Sequence, residues 1–255
     1  MNGQPPNTQW GDRVPPWLMA LPLVVLGLGI LAYVYGIPLI ASAAAARIPA
    51  SITQRLERET LASLDREVFK PSALPPERQR AIDSAFRTLR RPAGANAAYA
   101  LVFRKSDALG ANAMALPAGT IVVTDGLVTI AHDDREILGV LAHEAGHVER
   151  RHGLRGMLQD SLIGMLLALV VGDVSTLAAA ASSALVEASY SRDLEREADA
   201  FAIVMLRANG IPVKHLADML RRLESTAGAA GLPGALQYLS THPATDERIQ
   251  QLGSQ

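Results

Sequence analysis

Residues 143–147 read His-Glu-Ala-Gly-His. Two imidazoles four residues apart project from one face of a helix, one turn from each other, and so can reach a single zinc ion. Glu144 stands between them, beside the metal, where it can activate a bound water. Three fixed residue types in five positions arise by chance in on the order of one chain in a hundred of this length at average composition. The motif therefore carries most of the functional information, and it requires a third ligand from elsewhere.

The chain has no cysteine, which excludes thiolate ligands and disulfides and leaves His, Asp and Glu as the available donors. His152 is the nearest. A third histidine in the zincin pattern stands six residues after the second, with a glycine between. Here that position is Gly153 and the glycine position is Arg150, so the register misses by one. His152 is accordingly expected at a helix end, facing solvent or the helix dipole. His132 reads as a loop residue and His215 as an exposed helical one. Further along, Ser191–Ala200 reads SRDLEREADA. Glu195 and Asp199 are four apart and share a helical face, whereas Glu197 points elsewhere. One of the two carboxylates can bind zinc while the other accepts a hydrogen bond from a ligating imidazole, fixing its tautomer. Taken alone the stretch reads as a charged exposed helix with Arg192 and Arg196 as partners. Coupled to the upstream histidines, the metal-binding reading prevails.

These residues need rigid elements beneath them. Asp133-Asp134-Arg135-Glu136 is a capping box, with Asp133 as N-cap and Glu136 three residues later. It opens a helix that carries Ile137, Leu138, Leu141, His143 and His147, and Gly153 is its expected stop. Residues 51–70 and about 77–91 show helical spacing, the second ending before Pro92. Tyr99–Phe103 and Ile121–Thr124 are short β-branched or aromatic runs of strand type. Another helix is expected over about 185–208, stopped by Asn209-Gly210 and Pro212, followed by one or two short helices.

Two stretches are apolar beyond what a core helix needs. Residues 1–16, with Pro5, Pro6, Pro15 and Pro16, read as a disordered leader. Trp17–Ile40 then contains no charged residue. That run exceeds the roughly 20 residues needed to cross a bilayer, and Trp17, Tyr33 and Tyr35 suit the interfacial zones. A retained membrane anchor over 17–40 is the preferred reading; a cleaved signal peptide, suggested by Ala41-Ser42-Ala43, and a buried core helix are the alternatives. Arg47, Arg55 and Arg58 after the span, against Arg13 offset by Asp12, lean towards a cytoplasmic domain, and the side stays open. The stretch 161–188 is interrupted at Gly172-Asp173. It is expected to form buried or interfacial helices near the site, with a re-entrant hairpin as alternative. The net charge of -1 and pI of 6.6 give no indication of a nucleic-acid partner.

The ordered motifs HEAGH and SRDLEREADA resemble the membrane-associated gluzincin metallopeptidases of the HtpX and CAAX prenyl protease type. The resemblance covers roughly residues 50–250. Asn112–Gly119, NAMALPAG, is similar to the family's segment before the zinc helix, with Ala118 where glycine is frequent. Ser240-Thr241-His242-Pro243 with Arg248-Ile249 is similar to its C-terminal HP…RI element. The resemblance implies an α+β, mostly helical, zincin-like domain over 47–255 with a small sheet, preceded by the anchor. It implies one zinc ion held by His143, His147 and Glu195, Glu144 as general base, and Asp199 as the hydrogen-bond partner behind a ligand. It places His242 near the site as a partner for the oxyanion. Asn112, Ala113, Met114 and Ala115 would form an edge strand that pairs with an extended polypeptide substrate.

The expected function is a single-pass, membrane-anchored zinc endopeptidase, the role in protein quality control coming from the resemblance alone. Three protein ligands leave a fourth zinc position for water, as in catalytic sites. The alternatives are a membrane-tethered chaperone-like or scaffold module with a structural zinc, which would have no use for Glu144, and a zinc hydrolase of small molecules.

Overall fold

The computed structural model describes residues 16–171, 192–230, 238, 242 and 246–254. Within them the two periodicities of the sequence separate into a mostly helical α+β fold with one four-stranded mixed sheet. The β-branched runs become strands because alternate side chains can be buried on opposite faces. Strand β2 (Ala100–Lys105) runs parallel to β4 (Thr120–Thr124), with Leu101 opposite Ile121 and Phe103 opposite Val123. Strand β3 (Ala113–Ala115) is antiparallel to β4 and forms one edge of the sheet. The two-residue β1 (Lys70–Pro71) forms the other edge, against β2.

Each face of the sheet is covered. Val122 joins Leu64, Phe69, Leu109 and Leu116 in a cluster to which α3 (Ala50–Glu67) contributes Leu64. Glu57 of α3 also accepts hydrogen bonds from the Ala118 amide (2.6 Å) and the Thr120 hydroxyl (2.5 Å), fixing the turn that leads into β4. Ile121 and Val123 face the main core, built around α6 (Asp134–Glu149). Ile82 and Phe86 of α4 (Pro76–Arg87), Leu127 of α5 (Asp125–Ile130) and Met205 of α8 (Arg192–Ala208) join it. So do Leu216, Leu220 and Leu223 of α9 (Lys214–Ala230) and Ile249 of α10 (Asp246–Gly253).

The capping of α6 begins as the sequence suggests. Asp133 accepts from the Arg135 amide at 2.8 Å, but Glu136 reaches past the N-cap to the His132 amide at 2.9 Å. Glu136 also pairs with Arg222 of α9 at 2.9 Å. The far end differs from expectation. The helix stops at Glu149, and Gly153 lies inside the next helix, α7 (His152–Val171). The turn is made by Arg151 in the left-handed conformation, φ 53°. Its guanidinium donates to the carbonyls of Ala45 and Ile48, and these bonds hold an arginine in a backbone region that usually takes glycine. The C-terminal part also departs from the expected short helices, since α9 has 17 residues. Its Leu216, Met219, Leu220 and Leu223 are fully buried, and His215 on the first turn is buried with them instead of exposed. Helix α4 ends at Arg87, ahead of the expected stop before Pro92.

At the N-terminal side, α1 (Pro16–Leu31), a π-helical turn (Ala32–Gly36) and α2 (Ile37–Arg47) form one uninterrupted helix. Leu21 through Ile40 present their large side chains outward, from Val34 at 47% to Leu39 at 72% exposed. Only Ile37, Ala41 and Ala45, spaced four apart, are buried, where α2 meets α7. The expected disordered leader lies outside the described residues apart from Pro16, as does the part of the 161–188 stretch beyond Val171.

Candidate metal centre

Helix α6 is enclosed on every side, with each residue from Glu136 to Val148 buried. Its polar residues are therefore cut off from water, and their partners must come from the protein or from a bound ion. Helix α8 supplies the first of them. It approaches α6 so closely that a Cβ on Gly146 would stand 2.9 Å from the Cα and the carbonyl oxygen of Ala198. Glu195 and Asp199, one turn apart on α8, are carried by that approach to His143 and His147. A C-terminal segment closes the other side with Tyr238, His242 and Arg248, all buried.

The distances define one cluster. His143 Nε2 and His147 Nε2 lie 2.9 Å apart, so both rings turn the same nitrogen to one point. Glu195 places Oε2 at 3.4 Å from the first and Oε1 at 3.3 Å from the second. Behind His143, Asp199 Oδ1 takes Nδ1 at 2.9 Å. His242 Nδ1 is 2.9 Å from Glu195 Oε1, and its Nε2 is 3.8 Å from Glu144 Oε1. Ligand atoms of His143, His147, Glu195 and His242 all lie within 4.8 Å of one another. Three imidazoles and a carboxylate around one point are a donor set suited to zinc.

The electrostatics fit a cation at that point. Burial opposes a charge on His143, but Glu195 and Asp199 outweigh it and lift its pKa to about 9. The carboxylates that draw a proton there would equally draw a metal ion. Burial also works against the charge on Glu195, yet His242 and His143 hold it far below the usual carboxylate range. Burial keeps His147 neutral, its pKa well below the ordinary value. Glu144 is fully enclosed, and neither carboxylate oxygen makes a hydrogen bond among the described residues. Burial raises its pKa, with His242, His143 and the nearby Ala115 amide pulling the other way. A buried carboxyl group left this way fits a site whose remaining partners are metal, water and substrate.

Thus His143, Glu144, His147, Glu195, Asp199 and His242 meet in one place although 99 residues separate the first from the last. The 112–115 segment is adjacent, and its strand shows which groups are available. Asn112 is buried, and its amide donates to the Thr124 hydroxyl (2.7 Å) while its carbonyl accepts from the Thr124 amide (3.0 Å). Leu116 likewise donates to Thr120, at 2.7 Å. By the alternation of an antiparallel pair, the backbone groups of Ala113 and Ala115 point to the open edge, and those of Asn112 do not.

Several participants were missed or misread in the sequence. His152 is fully buried, not solvent-facing: its Nδ1 is 2.9 Å from His147 Nδ1 and its Nε2 is 3.2 Å from Glu197. Burial, opposed by Glu197, lowers its pKa to about 4. His132 is the loop residue expected, exposed in the bend ahead of α6 and 3.0 Å from Arg222. Arg248 holds Asp199 at 2.7 and 2.8 Å and Glu195 at 2.7 Å. The sequence offered it only as part of a similar motif, with no sign that it meets two carboxylates. Tyr238, stacked on His242 with ring centroids 4.7 Å apart, gave no signal at all.

Residues 76–255 match the pattern of Peptidase family M48, and the chain belongs to that family. Among its relatives, metalloprotease YcaL of Escherichia coli is 34% identical over 149 residues, covering 55% of this chain and 56% of that protein. The mitochondrial metalloendopeptidase OMA1 of Arabidopsis thaliana is 32% identical over 142 residues, 55% of this chain and 28% of that protein. A putative beta-barrel assembly-enhancing protease of Vibrio cholerae is 30% identical over 151 residues, 54% and 31% respectively. The chain thus spans between about a quarter and just over half of these relatives.

Proposed function

We propose that this chain is a membrane-anchored zinc metalloendopeptidase of family M48, with motifs in the HtpX and prenyl-protease order. One observation carries the reading: an enclosed His143–His147–Glu195 triangle with the unbonded carboxylate of Glu144 beside it. In this reading the anchor is 17–40 and the peptidase domain 47–255. The helix Ala20–Arg47 supports the anchor, being 28 residues long and apolar enough by composition to cross a membrane. A role in protein quality control agrees with the relatives' protease names and belongs to the same proposal.

Zinc held by His143, His147 and Glu195 would polarise the scissile carbonyl and make a water acidic enough to attack near neutral pH. Glu144 takes a proton from the attacking water and passes it to the departing amide nitrogen. Its enclosure favours the first half of that transfer, since a carboxylate whose pKa burial raises is the stronger base. His242 donates Nδ1–H to Glu195 and turns Nε2 towards Glu144, and in its imidazolium form it can donate from Nε2 to the oxyanion. Tyr238 stacks on that ring and fixes its plane. Asp199 fixes the tautomer of His143, and Arg248 fixes Asp199. An extended substrate adds to the edge of β3 through Ala113 and Ala115, which brings its backbone past Glu144.

The test is Glu144→Gln, purified as the full chain in detergent. Zinc content should match wild type, while cleavage of an unfolded casein-type substrate falls by roughly 10²–10⁴-fold. Wild-type cleavage by the variant would overturn the mechanism. Wild-type zinc with no cleavage by either protein would favour a structural metal in a scaffold module.

A further inference from the structure

The two imidazoles on α6 are supported from behind in different ways. His143 turns Nδ1 to Asp199 at 2.9 Å, and Arg248 braces that carboxylate. At His147 the described neighbour of Nδ1 is an imidazole. His152 Nδ1 lies there at 2.9 Å, His152 Nε2 lies 3.2 Å from Glu197 Oε2, and Arg155 is 3.2 Å from the same oxygen. One assignment of protons satisfies each of these contacts. An ionised carboxylate only accepts, so His152 donates from Nε2 and offers a lone pair on Nδ1. A contact between two ring nitrogens needs one donor, so His147 carries its proton on Nδ1. That leaves the lone pair of His147 on Nε2, the atom 2.9 Å from His143 Nε2 and 3.3 Å from Glu195.

We infer that His152, backed by Glu197, is a positioning residue that sets the tautomer and ring angle of His147 as a zinc ligand. The inference rests on the ligand reading above and adds a second support, one imidazole longer than that of His143. The local fold provides for it. Arg151 in the left-handed conformation reverses the chain after α6, so the side chain of His152 returns towards the helix it follows. Glu197 is two residues past Glu195 and faces away from the metal, which is what a partner for His152 requires.

The test measures zinc affinity by chelator competition on the full chain, with the visible spectrum of the cobalt(II)-substituted protein as a second readout. His152→Leu removes the acceptor and should weaken zinc by about 10–100-fold and shift the cobalt bands. His152→Asn, which returns an acceptor oxygen near the Nδ1 position, should recover most of that loss. Glu197→Ala should weaken zinc by about tenfold, the lower end of the same range. A folded His152→Leu with wild-type affinity and spectrum, while Glu195→Gln has lost zinc, overturns the relay and leaves the ligand reading intact. Wild-type zinc binding in both His147→Ala and Glu195→Gln overturns the ligand reading itself. If the leucine variant does not fold, Glu197→Ala decides, because that side chain is 39% exposed and its loss is tolerable. Unchanged affinity in it then refutes the relay.

Discussion

The N-terminal helix from Ala20 to Arg47 and α6 are both rich in Leu, Val and Ile, and they meet opposite surroundings. In α6 every residue from Glu136 to Val148 is buried by strands and helices of the same chain. In the N-terminal helix Leu23 is 71% and Leu39 is 72% exposed, and the described residues bury the Ile37–Ala41–Ala45 stripe. The 28 residues of that helix extend about 42 Å, against a hydrocarbon core of about 30 Å. Apolar content alone therefore does not say where a helix belongs. A helix that the protein surrounds can hold polar groups, because neighbouring elements bring partners to them. A helix that the described residues leave bare receives no such partners from them, and it carries no charged residue from Ala20 to Ala46.

The contrast is broken most severely by placing the same charge in both helices. Leu141→Arg puts an unpaired guanidinium where the side chain is fully buried, a cost of several kcal/mol. That approaches the roughly 5–15 kcal/mol that holds a domain together. Purified variant should show no cooperative melting. Leu26→Arg, at a residue 60% exposed, should leave the melting transition unchanged. Its cost, about 2.5–3.5 kcal/mol, falls on membrane insertion and is read from the fraction retained in carbonate-washed membranes. Loss of melting in the second variant would mean that the bare helix is a core element after all.

How much of this was legible in the sequence follows from the range of each signal. The start of the capped helix under HEAGH, the two strands and the core of the uncharged helix are written in local spacing, and each forms there, whereas the helix ends do not follow it. Glu195 and Asp199 were legible as a pair four apart, but only a resemblance assigned them separate roles. His152 was misread because its register was judged against a helix that was expected to continue to Gly153. In fact the chain turns at Arg151, and no local pattern announces an arginine in the left-handed region. Arg248 and Tyr238 act over long separations in sequence, where periodicity carries no information.

A smaller effect comes from a single methyl group added to each helix. Gly146→Ala sets a Cβ 2.9 Å from the Ala198 backbone and 3.2 Å from Phe201 Cβ. Helix α8 must move, at about 1–3 kcal/mol, which is a fall in melting temperature of about 2–4 °C per kcal/mol for a domain of this size. The displaced α8 carries Glu195 and Asp199, so zinc affinity should fall with stability. Gly29→Ala meets nothing within 4 Å and should change neither quantity. Equal melting of the two variants would show that α8 does not depend on that close approach.

The smallest predicted effect lies where the two regions join. Arg151 ends α6, and its guanidinium bonds the carbonyls of Ala45 and Ile48 at the end of α2. Arg151→Gly and Arg151→Ala lose the same bonds and differ only in the backbone. At φ 53° alanine carries the left-handed penalty and glycine does not, a difference of roughly 1 kcal/mol. The glycine variant should therefore melt above the alanine variant by a few degrees, with both releasing α2 from α6. That release is measured by faster amide exchange at Ile48, and zinc affinity in the glycine variant should stay close to wild type because the turn that aims His152 is kept. If glycine and alanine melt together, the left-handed turn costs alanine nothing and the backbone at Arg151 is not strained.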